Sequence, residues 1–222
     1  MYVPKHFEES SLDAKHRLIR QQPLGTLITQ SPEGLNANHI PFVLSEQPAP
    51  FGKLLGHVPR INPVVEELRS GGEILVVFHG PNGYVSPSWY ATKKEHGRVV
   101  PTWNYSVVHA YGQVELIEDG EWLRHQIESL TRSQEASFAE PWAVDDAPQA
   151  FTDRLMQNLV GLEIVITRLL AKTKASQNQP EVNRAGVVAG LKSLAGKNAQ
   201  DLADAVERGS NYAQSDKRNK TA

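Results

Sequence analysis

The sequence predicts a mainly β chain with helices, an α+β protein built on an antiparallel β-barrel with peripheral helices. Three observations carry this. Six or seven strand-like segments follow one another, most of them joined by short turns. Regular helical crossovers between them are missing, which is the pattern of antiparallel pairing and not of βαβ units. After two helices, a late alternating stretch, VGLEIVITRLLAKTK, returns the chain to the sheet.

Each element has its own signal. Residues 8–20 read as a helix, with Leu12, Lys15, His16 and Ile19 at helical spacing and SSLD as a cap. PLGTLITQSPEGLNANHIPFVL reads as a hairpin with SPEG at its turn, and FGKLLGHV as a third strand. NPVVEELRSG is a short helix, with Pro63 at its first position and Gly71 past its end. EILVVFHG is a buried strand, GYVSPSWY a separate extended piece, and Val107 to Leu116 a further strand. DGEWLRHQIESLTRSQEA follows an Asp cap and places Trp122, Leu123, Ile127 and Leu130 on one face. AVDDAPQAFTDRLMQNL is a second helix, SQNQPEVNRAG a polar loop, and the chain from Gly186 to about residue 208 is helical. The expected organisation is a barrel domain over residues 1–192, a C-terminal helix over 193–209 and a disordered tail over 210–222.

Composition narrows the function classes. The 222 residues suffice for a core without metal or disulfide staples. The formal charge of −2 lacks the basic excess of a dedicated nucleic-acid binder. With no cysteine, thiolate, zinc–thiolate and iron–sulfur chemistry are excluded, so a redox role needs a bound cofactor. The N-terminus lacks the apolar segment of a signal peptide. No apolar run approaches the ~18 residues of a membrane span. A cytoplasmic protein is expected.

Several constellations could carry chemistry. His39, His57, His79 and His109 lie in or beside strands, but none shows metal-ligand spacing, and no metal is assigned. Ser86 and Ser88 stand outside any nucleophile elbow. Glu66–Glu67 and Asp145–Asp146 sit in polar, solvated stretches. GHVPRINP places His57, Arg60 and Asn62 where a strand ends and a helix begins, an arrangement suited to an anion; equally, Asn62 caps the helix and Arg60 is solvated. Six of the chain's ten tyrosines and tryptophans fall between Tyr84 and Tyr111. They suit a flat heteroaromatic ligand, a dimer interface or a sheet core. VVAGLKSLAGKNAQDLADAVERG could form a helix-turn-helix, but its second helix would face DNA with Asp201, Asp204 and Glu207.

The blocks MYVPKHFEE, PLGTLIT, ANHIPF, GHVPRINP, VVFHGPNGYVSPSWY, VVPTWNY, VHAYG and KASQNQP, in this order, resemble the PaiB-like family of FMN-binding proteins, often labelled negative transcriptional regulators. The resemblance runs from Met1 to about Leu191. It implies an FMN-binding split β-barrel and a homodimer with FMN at the subunit interface. By the same resemblance, Asn38, His39 and Ile40 are candidates for contacts to the flavin ring. His57, Arg60 and Asn62 are candidates for its phosphate. Thr102, Trp103 and Asn104 would approach from the partner subunit, Trp103 as a flat wall and Thr102, Asn104 and Tyr105 as hydrogen-bonding groups. Lys174, Ser176 and Gln177 would supply further polar contacts. Ala175 and Gln179 depart from the residues many members carry there.

The resemblance implies a flavin-bound negative regulator of transcription, with DNA contact possible but unsupported by charge. The alternative is an FMN-dependent oxidoreductase acting on a small molecule, with His39 and His57 as the nearest acid–base candidates. A haem-processing relative and a purely structural interaction protein stand further off.

Overall fold

The computed structural model describes the backbone of residues 1–218 and the side chains through residue 209. The tail expected over 210–222 therefore lies outside the residues with described side chains, and its last four residues outside the description altogether. In chain order the elements are α1 Leu12–Gln21, β1 Leu24–Ser31, β2 Gly34–Pro41, β3 Val43–Ser45, β4 Lys53–Pro59, α2 Val64–Arg69, β5 Ile74–Val85, α3 Lys93–His96, β6 Thr102–Ile117, α4 Gly120–Glu135, α5 Gln149–Met156, β7 Leu159–Lys174, α6 Glu181–Lys192 and α7 Lys197–Arg218. The chain divides into two compact units. One contains Leu12–Phe78 and His109–Leu170; the other contains Met1–Ser11, His79–Val108 and Ala171–Ala222.

The first unit holds the barrel. Its seven strands form one sheet in the order β2-β1-β5-β6-β7-β4-β3. The β1–β2, β1–β5, β3–β4 and β4–β7 pairs are antiparallel. The β1–β2 hairpin closes at Ser31↔Gly34, leaving Pro32 and Glu33 as a two-residue loop. Gly34 carries the φ of +120° that an L side chain would strain. Alternation along β4 buries Leu54, Gly56 and Val58 on one face. The sheet curls shut around Phe42, and this requires glycine twice. A Cβ on Gly25 would come within 3.0 Å of the Phe42 ring, and one on Gly56 within 2.9 Å. Phe42 meets Phe78 edge-on at 6.1 Å, among Leu27, Leu54, Val76 and Ile164, all shielded from solvent. This is the antiparallel barrel the sequence predicts. In α4, Asp119 caps as expected, accepting from the Trp122 N–H at 2.7 Å. The buried face of α4 carries Gln126 beside Leu123.

The second unit contains the far ends of β5, β6 and β7 with α3, α6 and α7. Val85, Tyr90, Val187, Leu191, Leu202 and Val206 form its core.

Four expectations are corrected. The first helix begins at Leu12 and not at residue 8, because Glu9 turns the chain by accepting from the Ser11 N–H at 2.9 Å. GYV is not a separate strand: β5 runs on to Val85, and a 3-10 turn over Pro87–Trp89 follows. AVDDAPQAFTDRLMQNL is a 3-10 turn at Val144–Asp146 and a separate helix α5, divided at Pro148. SQNQPEVNRAG is a loop only to Pro180, since α6 starts at Glu181 and buries Asn183 and Arg184. Polar composition hid that helix because the buried Asn183 meets its partner Thr92 only in the folded state.

Candidate functional site

The predicted site residues gather into two clusters, one in each unit. In the barrel unit, β4 ends at Pro59 and the chain turns through Arg60 and Ile61, with the Asn62 N–H donating to the Pro59 carbonyl at 2.9 Å. Asn62 Oδ1 accepts from the Val64 N–H at 3.0 Å and caps α2. A backbone N–H can only donate, so this bond fixes the Asn62 amide. Its Nδ2 then donates to Asn38 Oδ1 at 3.0 Å. The relay leaves Asn38 Nδ2 buried with no partner among the described residues. A buried donor without an acceptor is costly and marks a place for one.

The neighbours are otherwise engaged. Arg60 pairs with Glu118 at 2.8 Å and donates to the Leu159 carbonyl at 3.2 Å. Glu118 also binds Arg69 at 3.1 Å. Its carboxyl is held below the usual carboxylate range, first by the Arg60 hydrogen bond and charge and then by Arg69. His57 Nδ1 meets Gln126 Oε1 at 2.7 Å, while Gln126 Nε2 reaches the Leu55 carbonyl at 3.4 Å. A carbonyl only accepts, so Gln126 presents its oxygen to His57. Neutral His57 therefore carries its proton on Nδ1 and offers Nε2 as an acceptor. His39 is exposed and bonds Thr26 across the hairpin at 3.1 Å. Ile40 is buried in the barrel, its backbone in register with Gly25. The structure thus brings Asn38 and Asn62 together, but ties Arg60 and His57 to other partners.

In the second unit, Asn104 is fully buried on β6 and its Nδ2 donates to Ser176 Oγ at 2.9 Å. Its Oδ1 has no partner among the described residues. Ser176 holds φ at +59°, a conformation non-glycine residues seldom adopt and one that clusters at functional sites. Lys174 Nζ donates to Thr102 Oγ1. Gln177 folds back on the loop, accepting from the Ala175 N–H at 2.7 Å and donating to the Thr173 carbonyl at 2.6 Å; it braces the turn. Trp103 is half exposed, edge-on to Tyr84 at 6.3 Å, and its Nε1 donates to Asn82 Oδ1 at 3.2 Å. Asn198 of α7 clasps the Asn82 backbone, accepting at 3.1 Å and donating at 2.7 Å. Tyr105, on the alternate face of β6, lies beside Lys172 Nζ at 5.3 Å and not with Asn104. The aromatic run is therefore divided: Trp103 and Tyr84 form an open ledge, and Tyr90 joins the core.

Sequence reasoning missed Gln126, which orients His57, and Asn82 with Asn198, which steady Trp103. These partners are distant in sequence, and no spacing rule links them.

A family model described as "Putative FMN-binding domain" matches residues 1–168. An uncharacterised protein of Emericella nidulans is 35% identical, over 94% of this chain and 98% of its own length. The Bacillus subtilis "Protease synthase and sporulation protein PAI 2" is 27% identical, over 93% of this chain and 97% of its own. Among solved structures, the FAD and heme binding protein from Mycobacterium smegmatis matches with a TM-score of 0.56 at 17% identity, covering 75% of this chain and 73% of that one. That likeness is one of fold. Among the described residues, no helix is long and apolar enough to cross a membrane.

Proposed function

This chain belongs to the FMN-binding domain family, with FMN as its cofactor, and on that footing we propose that it is a flavin-loaded regulator of the PaiB-like type, a homodimer that lowers transcription of its targets. The observation that carries the flavin reading is the fully buried Asn104 amide of the second unit, whose Oδ1 has no partner among the described residues. An isoalloxazine edge offers both donors and acceptors, and a phosphate offers acceptors, so the residues fit the group. Taken by itself, the barrel unit offers a separate candidate donor in Asn38 Nδ2, which lacks a partner among the described residues and is held in that sense by Asn62 and Val64. Asn104 would accept a hydrogen bond from the ring edge, its amide oriented by the bond to Ser176. Trp103 and Tyr84 would give the ring an apolar face. When bound, FMN supplies reversible acceptance of one or two electrons.

The regulatory part is supported by the relative named for protease synthase and sporulation. Direct DNA contact is disfavoured. α6 and α7 do form two helices about a turn, but Asp204 and Glu207 on α7 are exposed, and Lys192 and Lys197 are taken up by Glu207 and Asp201. The regulator would then act through a partner. Three measurements test this reading. Flavin absorption bands should co-elute with a dimer on sizing. Transcripts should rise when the gene is deleted, and an unchanged transcript profile would remove the regulatory role. Promoter DNA should show no gel shift even at low salt.

One observation favours a second reading, an FMN-dependent oxidoreductase. His57, half-buried with its tautomer set by Gln126, leaves Nε2 free to take a proton from a substrate. Bleaching of the holoprotein's flavin by NADH or NADPH would support a nicotinamide-linked reductase. Failure with both would count against it.

A further inference from the structure

Arg184 on the first turn of α6 is only 8% exposed. Its guanidinium carries five N–H donors and no acceptor. Among the described residues it makes a single hydrogen bond, from Nη1 to the Gln179 carbonyl at 3.3 Å. Its Nε is buried without a partner among the described residues, and no described carboxylate forms an ion pair with it. A buried charge is ordinarily paired, because desolvating it alone is strongly unfavourable.

The contrast with its neighbour is informative. Asn183, equally buried, is saturated: Oδ1 accepts from the Thr92 N–H and hydroxyl, and Nδ2 donates to Thr92 and Gln179. Asn183 pins the start of α6, so Arg184 is not needed for that. The Arg184 side chain reaches back to residue 179, toward the free N–H groups at the helix start, where Pro180 gives no side-chain cap. The same turn is closed by the Gln179 N–H on the Ser176 carbonyl at 2.9 Å, and Ser176 is the residue in the left-handed conformation. A helix start, a fixed cation with unused donors and a strained turn thus coincide.

We propose that Arg184 and the first turn of α6 bind a small oxyanion, a phosphate monoester being the group that the guanidinium fork fits. The inference rests on the flavin reading only so far as FMN is one source of such a group. A separate phosphate-bearing ligand is the other.

The test uses the full chain freed of flavin, as wild type, R184Q and R184K. Each is titrated with FMN and with riboflavin, which lacks the phosphate, and each is melted with and without millimolar inorganic phosphate. If Arg184 holds the FMN phosphate, R184Q weakens FMN about tenfold or more and leaves riboflavin unchanged. If it holds a separate oxyanion, FMN affinity is unchanged, but phosphate raises the melting temperature of wild type and not of R184Q. Either result supports the proposal. An unchanged FMN-to-riboflavin ratio, together with an unchanged response to phosphate, overturns it and leaves Arg184 a strut for the 176–179 turn. Should R184Q fail to fold, R184K keeps the charge and loses the fork, and the same outcomes are read on it. A wild type that binds neither flavin but shows Arg184-dependent stabilisation by phosphate would sink the flavin reading and keep this one.

Discussion

Replacing Asn104 by Val and Ser176 by Gly together should make the flavin-free protein more stable while weakening its hold on FMN. Asn104 is fully buried, with its Oδ1 unmatched among the described residues. Leaving such an atom unpaired costs roughly 1–3 kcal/mol. Valine is close in size and suits a strand. The Asn104–Ser176 hydrogen bond is lost, about 1 kcal/mol, but both polar partners leave, so neither is stranded. Ser176 sits at φ +59°, a conformation that costs a non-glycine residue roughly 1–2 kcal/mol; glycine relieves that and returns about 0.4–1 kcal/mol through its freer unfolded chain. The sum is a gain of about 1–2 kcal/mol, or roughly 3–6 °C in Tm for a chain of this length. FMN loses one hydrogen bond in the process, so its Kd should rise about tenfold. Urea melts of the flavin-free forms and fluorescence titration with FMN read the two effects. A double variant that binds FMN as tightly as wild type, or that is less stable by more than about 1 kcal/mol, would refute the assignment of Asn104 to the cofactor. The single change N104V should instead lose stability, because it leaves the buried Ser176 hydroxyl alone.

Other outcomes follow from the packing and the charges. In G186A the new Cβ would lie 1.9 Å from the Trp89 carbonyl oxygen, a backbone atom that cannot yield cheaply; overpacking should outweigh the ~1 kcal/mol helix gain and leave a net loss of about 1–2 kcal/mol in a urea melt. D119A removes the cap on the Trp122 N–H and should cost about 1 kcal/mol by the same measurement. Glu118 is held below its ordinary value of 4.5, chiefly by Arg60. Its contribution is therefore full above that value and is lost as pH falls through the lower folded one. Urea midpoints of wild type and E118Q should differ at neutral pH and converge in acid; a constant gap would show that the Arg60–Glu118 pair does not titrate as argued.

Most strands and helices were legible in the sequence because they rest on local signals: alternation in LGTLIT and KLLGHV, the SPEG turn, and the Asp119 cap. Helix α6 was not legible over its first turn. Asn183 and Arg184 look like loop residues until Thr92 and Gln179, in the first case ninety-one positions away, are brought to them. The candidate site divides along the same line. The residue types at Asn38, Asn62, Asn104 and Ser176 were identified through blocks of sequence. Their protonic sense was not, because it is imposed by partners: Val64 orients Asn62, Asn62 orients Asn38, and Gln126 orients His57. Arg60 shows the converse. An arginine beside a helix start is a fair anion ligand on sequence grounds, but Glu118, which closes on it from the end of β6, takes its charge. Local preference acts between neighbours in the chain, so sequence alone determined most of the elements and the family. Which buried donor or acceptor is left unmatched depends on every group packed around it, and only the tertiary structure decided that.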